Sequence, residues 1–329
     1  MKDVADLLGV SRSTVSRAIS GDPHVNESTR QRVLQAVQDL GFRPNRLAQS
    51  LRSVGSSFIG VVVDYMSEIT GELVKGVAAV CRKRNFVVAL CITGNDPEVV
   101  DQWVRENRCV EGLIFLTGGI RELPWSRPAS IPSVYGYCFP AGSRDNCVYP
   151  DNVEGARAAV EHLIGLGHSR IGYINGPPRW EAHTTRLKGY KEALASAGIA
   201  VRDAWVAEGD GTYESGEAAA LRLLRLPPDE RPTALFACSD RMAIGAIAAA
   251  ESLGLAVPGD VSIVGYEDRE FARYARPPLT TVRLPLVEVG RFAAERLLDG
   301  LSTPGAEAWP ETRIGCRLVL RQSTAPPRG

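Results

Sequence analysis

Hydroxyl and guanidinium side chains are concentrated in one short stretch near the amino terminus, SRSTVSRAI over residues 11–19. Serine and arginine side chains can hydrogen-bond to base edges and to phosphate oxygens in a major groove. If the stretch is helical, its polar side chains lie opposite its apolar ones. The polar side consists of Arg12, Ser13, Ser16 and Arg17. The pattern therefore indicates a nucleic-acid reading surface, and the alternative interpretation is a solvated helix face in a small bundle.

The positions of small, apolar and capping residues predict two helices joined by a tight turn. A first helix ends before Gly9, a residue type that tolerates positive φ in a turn. Ser11 caps a second helix over residues 12–19. Ala5, Gly9 and Val15 then have the spacing of a helix-turn-helix, with the small residue where the helices touch.

Two further helices are predicted after this pair. Asn26 caps a third helix that ends at Gly41 and carries apolar residues at helical spacing. Pro44 starts a fourth, short helix. Because a helix this short is not stable alone, it needs a partner, either its two-fold mate or DNA. We therefore expect a three-helix head over residues 1–44 and a hinge helix with linker over residues 45–57.

Charge is distributed unevenly along the chain. The 329 residues carry 38 basic and 38 acidic side chains and are neutral overall. Residues 1–55 hold eight basic and five acidic side chains, a net charge of +3, so the remaining chain carries −3. A basic head on an acidic body favours a polyanion as the partner of the head.

From Phe58 onwards the pattern changes to short apolar strands that alternate with helices. The runs FIGVVVD, FVVALCIT, VEGLIFLT, RIGYING, TALFACS and VSIVGYE are typical of buried strands. This alternation predicts an α/β fold of parallel sheets with helices on both faces, and the number of units predicts two lobes. Ligands of such folds bind outside the carboxyl ends of the strands, which places a ligand in the cleft between the lobes.

Polar side chains at strand ends and at one helix start are candidates for holding that ligand. Glu267 follows the strand VSIVGY, Ser239 follows TALFAC, and Arg186 lies at the start of a helix. Helix capping and surface solvation are the alternative roles for the acids. The acids Glu267 and Asp268 could in principle form a hydrolytic pair, but adjacent residues after a strand tend to point apart.

Other classes of function lack their motifs. The histidines do not form HExxH, the serines lack GxSxG, and no GxxxxGK[ST] phosphate loop is present. The seven cysteines are scattered and form no CxxC pair, which predicts reduced thiols in a cytoplasmic protein. No apolar run approaches the roughly 18 residues that span a bilayer, and no signal peptide is recognisable. We expect no catalytic residues, metal or cofactor; the alternatives are a solute-binding protein or a sugar-processing enzyme without a DNA role.

The segments DVADLLGVSRSTVSRAISG and HVNESTRQRVLQAVQDLGFRPNRLAQSLR closely resemble the head and hinge of the lactose-repressor family of bacterial transcription regulators, and the similarity continues along the chain. The resemblance implies a recognition helix in the major groove, with base contacts from Arg12, Ser13 and Arg17. It also implies that paired hinge helices open the minor groove with Leu51 as a wedge. The other DNA-binding residues that it implies are Ser11, Thr14, Ser16, Ser20, His24, Asn26, Thr29, Phe42, Asn45 and Ala48.

For the body, the resemblance implies a two-lobed core like that of periplasmic binding proteins. One lobe would comprise residues 58–150 and 282–309, and the other residues 151–281 and 310–329. A homodimer would bind palindromic operator DNA as a repressor, controlled by a sugar or sugar-like effector in the cleft. The effector-binding residues that the resemblance implies are Met66, Ile69, Tyr137, Asp151, Arg186, Thr212, Ser239, Glu267 and Leu286.

The chain departs from the family pattern at three positions of the cleft. Glu267 stands where an Asp is usual, and Ser239 stands where an Asn is usual. Gly211 falls where an aromatic platform for a sugar ring is frequent. These changes alter the reach of the side chains and the number of hydrogen-bond donors. We therefore expect an effector that differs from a standard hexose or binds more weakly, unless Tyr213 supplies the missing ring.

Overall fold

The computed structural model describes residues 2–19, 22–40, 58–94, 96–107, 109–116, 131–137, 144–178, 180–303 and 308–328. The chain forms two compact units, Met1–Ser57 and Phe58–Gly329. The first unit contains the basic head, and the second contains the α/β body.

Three helices pack around a small apolar core in the first unit. They are α1 Lys2–Leu8, α2 Arg12–Ile19 and α3 Glu27–Asp39. The side chains buried between them are Val4, Ala5, Val15, Ala18, Val25, Val33 and Ala36. The predicted helix-turn-helix is therefore present, with α2 as its second helix.

The predicted turn and cap residues have the expected local geometry. Gly9 has φ +64° in the turn between α1 and α2. The Ser11 hydroxyl accepts a hydrogen bond from the Thr14 backbone N–H at 3.0 Å, and the Asn26 side chain accepts one from the Thr29 N–H at 2.8 Å. These contacts satisfy backbone donors that each helix start leaves without an intrahelical partner.

The last helix of the head stops next to the glycine that was predicted to end it. Helix α3 ends at Asp39 with Leu40 as its cap residue, so Gly41 immediately follows the cap. The predicted fourth helix and the hinge over residues 45–57 lie outside the described residues.

Short strands supply the framework of the second unit. They are β1 Phe58–Val63, β2 Val87–Ile92, β3 Val110–Phe115, β4 Ser133–Gly136, β5 Cys147–Pro150, β6 Ile171–Asn175, β7 Val206–Glu208, β8 Ala234–Ala237, β9 Ser262–Glu267, β10 Thr280–Arg283, β11 Thr312–Ile314 and β12 Arg317–Val319. Among the described residues they form two six-stranded sheets, in the orders β11-β5-β4-β3-β1-β2 and β12-β10-β9-β8-β6-β7. Within these sheets every ladder is parallel except the one between β10 and β12. The predicted fold of two parallel-sheet lobes is therefore confirmed.

Helices cover the sheets and bury their apolar faces. They are α4 Glu68–Lys83, α5 Pro97–Glu106, α6 Asn152–Gly165, α7 Glu181–Ser196, α8 Tyr213–Leu224, α9 Asp240–Ser252 and α10 Leu286–Ser302. In β1, Ile59, Val61 and Val63 belong to the cluster that includes α4 and α10, whereas Val62 belongs to the cluster with α5. Because alternate residues of a strand point to opposite faces, helices lie on both sides of the first sheet.

The chain crosses between the lobes at three places. It leaves the first sheet after Pro150 and enters α6, returns after Arg283 into α10, and crosses again between β11 and β12. Two of the expected crossings, near Thr281 and Trp309, fall a few residues too early. The reason is that β10 continues in the second sheet to Arg283 and β11 remains in the first sheet to Ile314.

None of the helices in the described part of the chain combines the length and the apolarity needed to cross a membrane.

Candidate functional site

Helix α2 has one buried and one exposed side. Val15 and Ala18 are buried in the core of the head. Arg12, Ser13 and Arg17 are exposed, while Ser16 is half-buried. The side predicted to be polar therefore faces outwards, with two guanidinium groups and a hydroxyl at its surface.

Hydroxyl groups also cluster at the start of α2. The Ser11 Oγ lies 2.6 Å from the Ser13 Oγ and 2.8 Å from the Thr14 Oγ1. Ser11 is exposed and Thr14 is half-buried. The capping bond to Thr14 holds this cluster at the helix N-terminus, where the backbone N–H groups favour an anion.

The loop before α3 is held by an arginine that sequence reasoning did not single out. Arg30 Nη2 donates to the backbone carbonyl of Asp22 at 2.6 Å and lies 3.5 Å from that of Val25. His24 is exposed on this loop, and its backbone N–H donates to Asp22 Oδ1 at 2.9 Å. Asn26 is exposed and caps α3. Composition alone could not show that Arg30 folds back onto this loop.

Five predicted DNA-binding residues belong to segments that the structure does not describe. Ser20, Phe42, Asn45, Ala48 and Leu51 lie outside the described residues.

Arg186 lies buried at the carboxyl end of the second sheet, with only 1% of its surface exposed. Its Nε donates to Asn152 Oδ1 at 3.0 Å, and its Nη1 donates to the Cys238 carbonyl at 2.6 Å. The guanidinium lies 4.0 Å from the centre of the Tyr266 ring. Its Nη2 has no hydrogen-bond acceptor among the described residues. A buried guanidinium normally satisfies its donors, which makes Nη2 a candidate donor for a ligand.

Glu267 and Asp268 diverge, as expected for adjacent residues after a strand. Glu267 Oε1 lies 3.8 Å from Arg186 Nη1, and burial raises the pKa of its carboxyl while Arg186 opposes the shift. Asp268 is buried and accepts hydrogen bonds from Arg283 and Arg321. Only the first acid therefore joins Arg186, and the two do not form a hydrolytic pair.

Tyr137 brings the first lobe to this cluster. It follows β4, is 8% exposed, and has φ +68°. Burial raises the pKa of its hydroxyl to about 12, with Arg186 lowering and Glu267 raising the pKa electrostatically. Three predicted side chains, from both lobes, thus lie within interaction range of one another.

Cavities adjoin two members of this cluster, Tyr137 and Glu267, whereas Arg186 lines neither cavity. The first, of about 450 Å³, is lined by Tyr137 and Asp151 among others. The second, of about 610 Å³, is lined by Ile69, Glu267 and Leu286 among others. Each cavity has walls from both lobes, as a ligand site between lobes requires.

The remaining predicted effector residues have other local roles. Asp151, Thr212 and Ser239 are cap residues of α6, α8 and α9, and their side chains accept backbone N–H bonds three residues later at 3.1, 3.2 and 3.3 Å. Met66 is 50% exposed. Met66, Thr212 and Ser239 do not line either cavity. Asp151, Thr212 and Ser239 therefore act as helix caps, which is the alternative role considered above for the acids.

Ion pairs join the lobes on opposite sides of the cluster. Arg144 Nη2 lies 2.8 Å from Glu181 Oε1. Arg269 Nε lies 2.7 Å from Glu68 Oε2, and the Glu270 backbone N–H donates to Glu68 Oε1 at 3.3 Å. Sequence reasoning missed these residues because their partners are distant in the chain. The only indication of these ion pairs in the sequence is that each charged residue lies near a strand end or a helix start.

Another buried acid lies at the start of α9. Asp240 is fully buried, and its carboxyl accepts hydrogen bonds from the Thr281 hydroxyl at 2.5 Å and the Arg269 N–H at 2.7 Å. Burial raises its pKa to about 8, against the effect of these hydrogen bonds. Asp240 therefore ties β10 to the turn after β9.

Comparison with known proteins agrees with this division into head and core. A family model described as "Bacterial regulatory proteins, lacI family" matches residues 1–45, and one described as "Periplasmic binding protein-like domain" matches residues 160–324. The ribose operon repressor of Haemophilus influenzae is 35% identical over 331 residues, which cover 98% of both chains.

Solved structures show the same similarity over the full chain. A lac repressor dimer bound to operator and the anti-inducer ONPF has a TM-score of 0.83 and 28% identity, covering 98% of both chains. A complex of the transcriptional regulator CelR with cellobiose has a TM-score of 0.70 and 33% identity, covering 97% of this chain and 98% of that one.

The fold, the head and the relatives define a DNA-binding transcriptional regulator with a ligand-binding core, rather than an enzyme or a free solute-binding protein. The chain belongs to the lacI family of bacterial regulatory proteins, as its resemblance to the lactose-repressor family predicted.

Proposed function

We propose that this protein is a homodimeric repressor that binds a palindromic operator and responds to a sugar-like effector between its lobes. The observation that carries the proposal is the two-sided character of α2. Its apolar residues are buried in the head, while Arg12, Ser13 and Arg17 are exposed. A helix held in this way can place its polar side in a major groove without disturbing the core.

The assigned DNA contacts come from the resemblance to the lactose-repressor family, and the exposure of the side chains supports them. Arg12 and Arg17 can donate two hydrogen bonds each to guanine, and Ser13 can hydrogen-bond to either base edge. Ser16, being half-buried, is assigned to the phosphate backbone. The other described residues assigned to phosphates are Ser11, Thr14, His24, Asn26 and Thr29.

Effector control is supported by the polar cluster that both lobes share. Arg186 supplies a buried donor, Glu267 a carboxylate, and Tyr137 a hydroxyl from the opposite lobe. Sugar hydroxyls donate and accept hydrogen bonds, so this set suits them. The ribose and cellobiose in the names of two relatives favour the same ligand class. A ligand that holds the lobes together shifts the equilibrium between two arrangements of the core, which changes operator affinity.

A dimer is supported by apolar side chains at the surface of the core. Leu90 and Ile92 on β2, an edge strand of the first sheet, are 38% and 51% exposed. Tyr274 in the second lobe is 67% exposed. Exposed apolar groups on an edge strand favour self-association, and a two-fold dimer matches a palindromic site.

The proposal is tested by selecting duplexes from a random library and measuring affinities by fluorescence anisotropy at fixed salt. We expect Arg17→Ala to lower the ratio of operator affinity to random-duplex affinity by about 10- to 100-fold, because a bidentate base contact is lost. Arg32→Ala removes the same charge from an exposed site on α3 and serves as the control, with its ratio unchanged. The proposal is wrong if the wild type binds no duplex at low ionic strength, or if both variants lower the ratio equally.

A further inference from the structure

The turn that follows β9 carries three consecutive side chains to three different places. Glu267 lies beside Arg186 in the polar cluster, with 3.8 Å between Oε1 and Nη1. Asp268 is buried, and Arg269 forms an ion pair with Glu68 of the first lobe. The direction of each side chain, that of Glu267 included, therefore depends on the backbone of this turn.

The backbone of the turn has a conformation that its residue types disfavour. Glu267 has φ +111° and Asp268 has φ +55°. Residues other than glycine seldom take positive φ, and such conformations persist where the surroundings hold them in place. A change of φ at Glu267 would redirect the carboxylate that faces Arg186. Whatever holds this backbone therefore also sets the position of that carboxylate.

Two arginines hold the carboxylate of Asp268, whose side chain is only 2% exposed. From β10, Arg283 Nε donates to Oδ2 at 2.5 Å, and Arg321 Nη2 donates to Oδ1 at 2.5 Å. Hydrogen bonds between ionised groups are stronger than neutral ones, and a buried charge that loses a partner is costly. Each carboxylate oxygen thus has a cationic donor. This arrangement fixes the Asp268 side chain and, through it, the turn.

Arg321 is itself held in the carboxyl-terminal segment that follows β12. Its backbone N–H donates to the Thr280 hydroxyl at 3.0 Å, and its Nη1 donates to the Leu279 carbonyl at 2.7 Å. Two residues on, the Ser323 hydroxyl accepts from the Thr280 N–H at 2.8 Å and donates to the Ile263 carbonyl at 2.5 Å. The segment is therefore tied to β9 and to the start of β10, and Arg321 has a fixed base.

The two arginines differ in their relation to the ligand space. Glu267, Asp268 and Arg283 line the cavity of about 610 Å³, whereas Arg321 lines neither of the two cavities described above. A variant of Arg283 could therefore alter a direct ligand contact. Arg321 reaches the cleft through Asp268, so its variants report on the turn.

We propose that Arg321 is a positioning residue for effector binding, which holds the turn after β9 through the buried Asp268 carboxylate so that Glu267 faces the ligand. This inference rests on the proposed effector function and deepens it, because it makes the carboxyl-terminal segment part of what sets sugar affinity. Arg321 acts without touching the sugar. A turn that is already ordered costs less conformational entropy when the ligand binds, and this lower cost appears as affinity.

The test is isothermal titration calorimetry of the full-length protein with ribose, glucose and cellobiose. We expect Arg321→Gln to weaken sugar binding about three- to tenfold, while operator affinity without sugar stays at the wild-type value. Ser323→Ala is the matched control, because it removes buried hydrogen bonds from the same segment without touching Asp268. Its sugar affinity should stay within about twofold of wild type even if its stability falls.

A double variant distinguishes positioning from general support of the fold. Glu267→Ala should weaken sugar binding about tenfold or more, because the carboxylate is lost. In that background Arg321→Gln should cause no further loss, since the side chain that it positions is absent. Arg321→Lys keeps a cation without the guanidinium fork and should bind with intermediate affinity, and it provides the comparison if Arg321→Gln does not fold.

Three results overturn the inference. They are wild-type sugar affinity in both Arg321 variants, an equal loss in Ser323→Ala, and losses that add in the double variant. If the wild type binds none of the three sugars but still binds operator, the sugar-effector part of the proposed function is wrong and this inference falls with it. Additive losses beside a normal wild-type titration overturn this inference alone.

Discussion

The residues of the cleft include several with an uncommon backbone conformation. Tyr137, Glu267 and Asp268 have φ of +68°, +111° and +55°. Such conformations cost on the order of 1–3 kcal/mol each and persist where the surroundings over-determine them, often at ligand sites. Because the surroundings already hold these residues in place, ligand binding costs little conformational entropy, which favours binding.

Arg186 allows a test at the scale of one side chain. Arg186→Met keeps much of the volume and removes the guanidinium. We expect the effector-induced change in operator affinity to be lost while operator affinity without effector is unchanged. We also expect unfolding to cost about 1–3 kcal/mol less, since Asn152 and Cys238 lose their donor. Anisotropy titrations with and without sugar, together with urea unfolding, measure both effects, and an unaltered effector response contradicts the assignment.

Asp240 makes stability depend on pH. Its folded pKa of about 8 lies above the ordinary value of roughly 3.9 for an unfolded aspartate. Between these values the unfolded carboxyl has lost its proton while the folded one keeps it. We therefore expect the contribution of Asp240 to the free energy of unfolding to fall as pH rises through this window, by at most about 1.4 kcal/mol per pH unit.

Asp240→Asn removes this titration and keeps the shape of the side chain. We expect the variant to gain stability relative to wild type as pH rises from 5 to 8. Urea unfolding at pH 5, 6.5 and 8 measures the difference in free energy of unfolding between variant and wild type. Burial lowers the pKa of His162 and His168, but both proteins contain these histidines, so their contributions cancel in the difference. A constant difference between variant and wild type across this range would show that Asp240 is ionised in the folded protein.

Among the elements, α4 and α10 are in close contact through two glycines. A Cβ on Gly76 would lie 2.1 Å from the Val287 carbonyl oxygen, and one on Gly290 would lie 2.0 Å from the Leu73 carbonyl oxygen. Both contacts are with backbone, which cannot rotate away. The two helices of the first lobe can therefore pack only at this short distance if both positions lack a side chain.

Gly76→Ala and Gly71→Ala form a matched pair within α4. The first must separate the helices, and we expect it to lower the free energy of unfolding by about 1–3 kcal/mol. The second meets nothing within 4 Å and should raise it by about 0.5–1 kcal/mol through helix propensity. Thermal and urea unfolding distinguish the two, and equal effects would mean that the close contact is absent.

At the scale of the whole core, ion pairs join the two lobes. Glu68 and Arg269 are 201 residues apart in sequence, and Arg144 and Glu181 are 37 apart. Each pair joins one lobe to the other beside the polar cluster. A partly exposed pair contributes little to stability alone, but it favours the present arrangement of the lobes, which we propose that a ligand also favours.

Glu68→Gln and Arg269→Gln are expected to weaken sugar affinity about two- to fivefold each, with the double variant no weaker than either. Calorimetric titration provides the three affinities. Arg84→Gln removes a pair with Asp299 at 2.8 Å that lies within the first lobe, and it should leave the affinity unchanged. Additive losses in the double variant would show that the two residues act independently.

Local patterns were sufficient to predict much of this protein. The turn at Gly9, the caps Ser11 and Asn26 and the two sides of α2 follow from residue type and helical spacing. The alternation of strands and helices predicted two parallel-sheet lobes, because buried strands and amphipathic helices differ in period. Adjacency on a strand also predicted that Glu267 and Asp268 diverge.

Long-range placement could be decided only by tertiary structure. The path of the chain between distant segments decides which charged residues pair across the lobes. It also decides which candidate effector residues are instead helix caps, and it places Trp180 against Gly211. The amino-acid sequence alone determined the elements, the outward-facing side of α2 and the membership of the family, since these depend on local periodicity and motif. Which residues lie together in the cleft was decided by tertiary packing, because these residues are far apart in the sequence and follow no helix or strand periodicity.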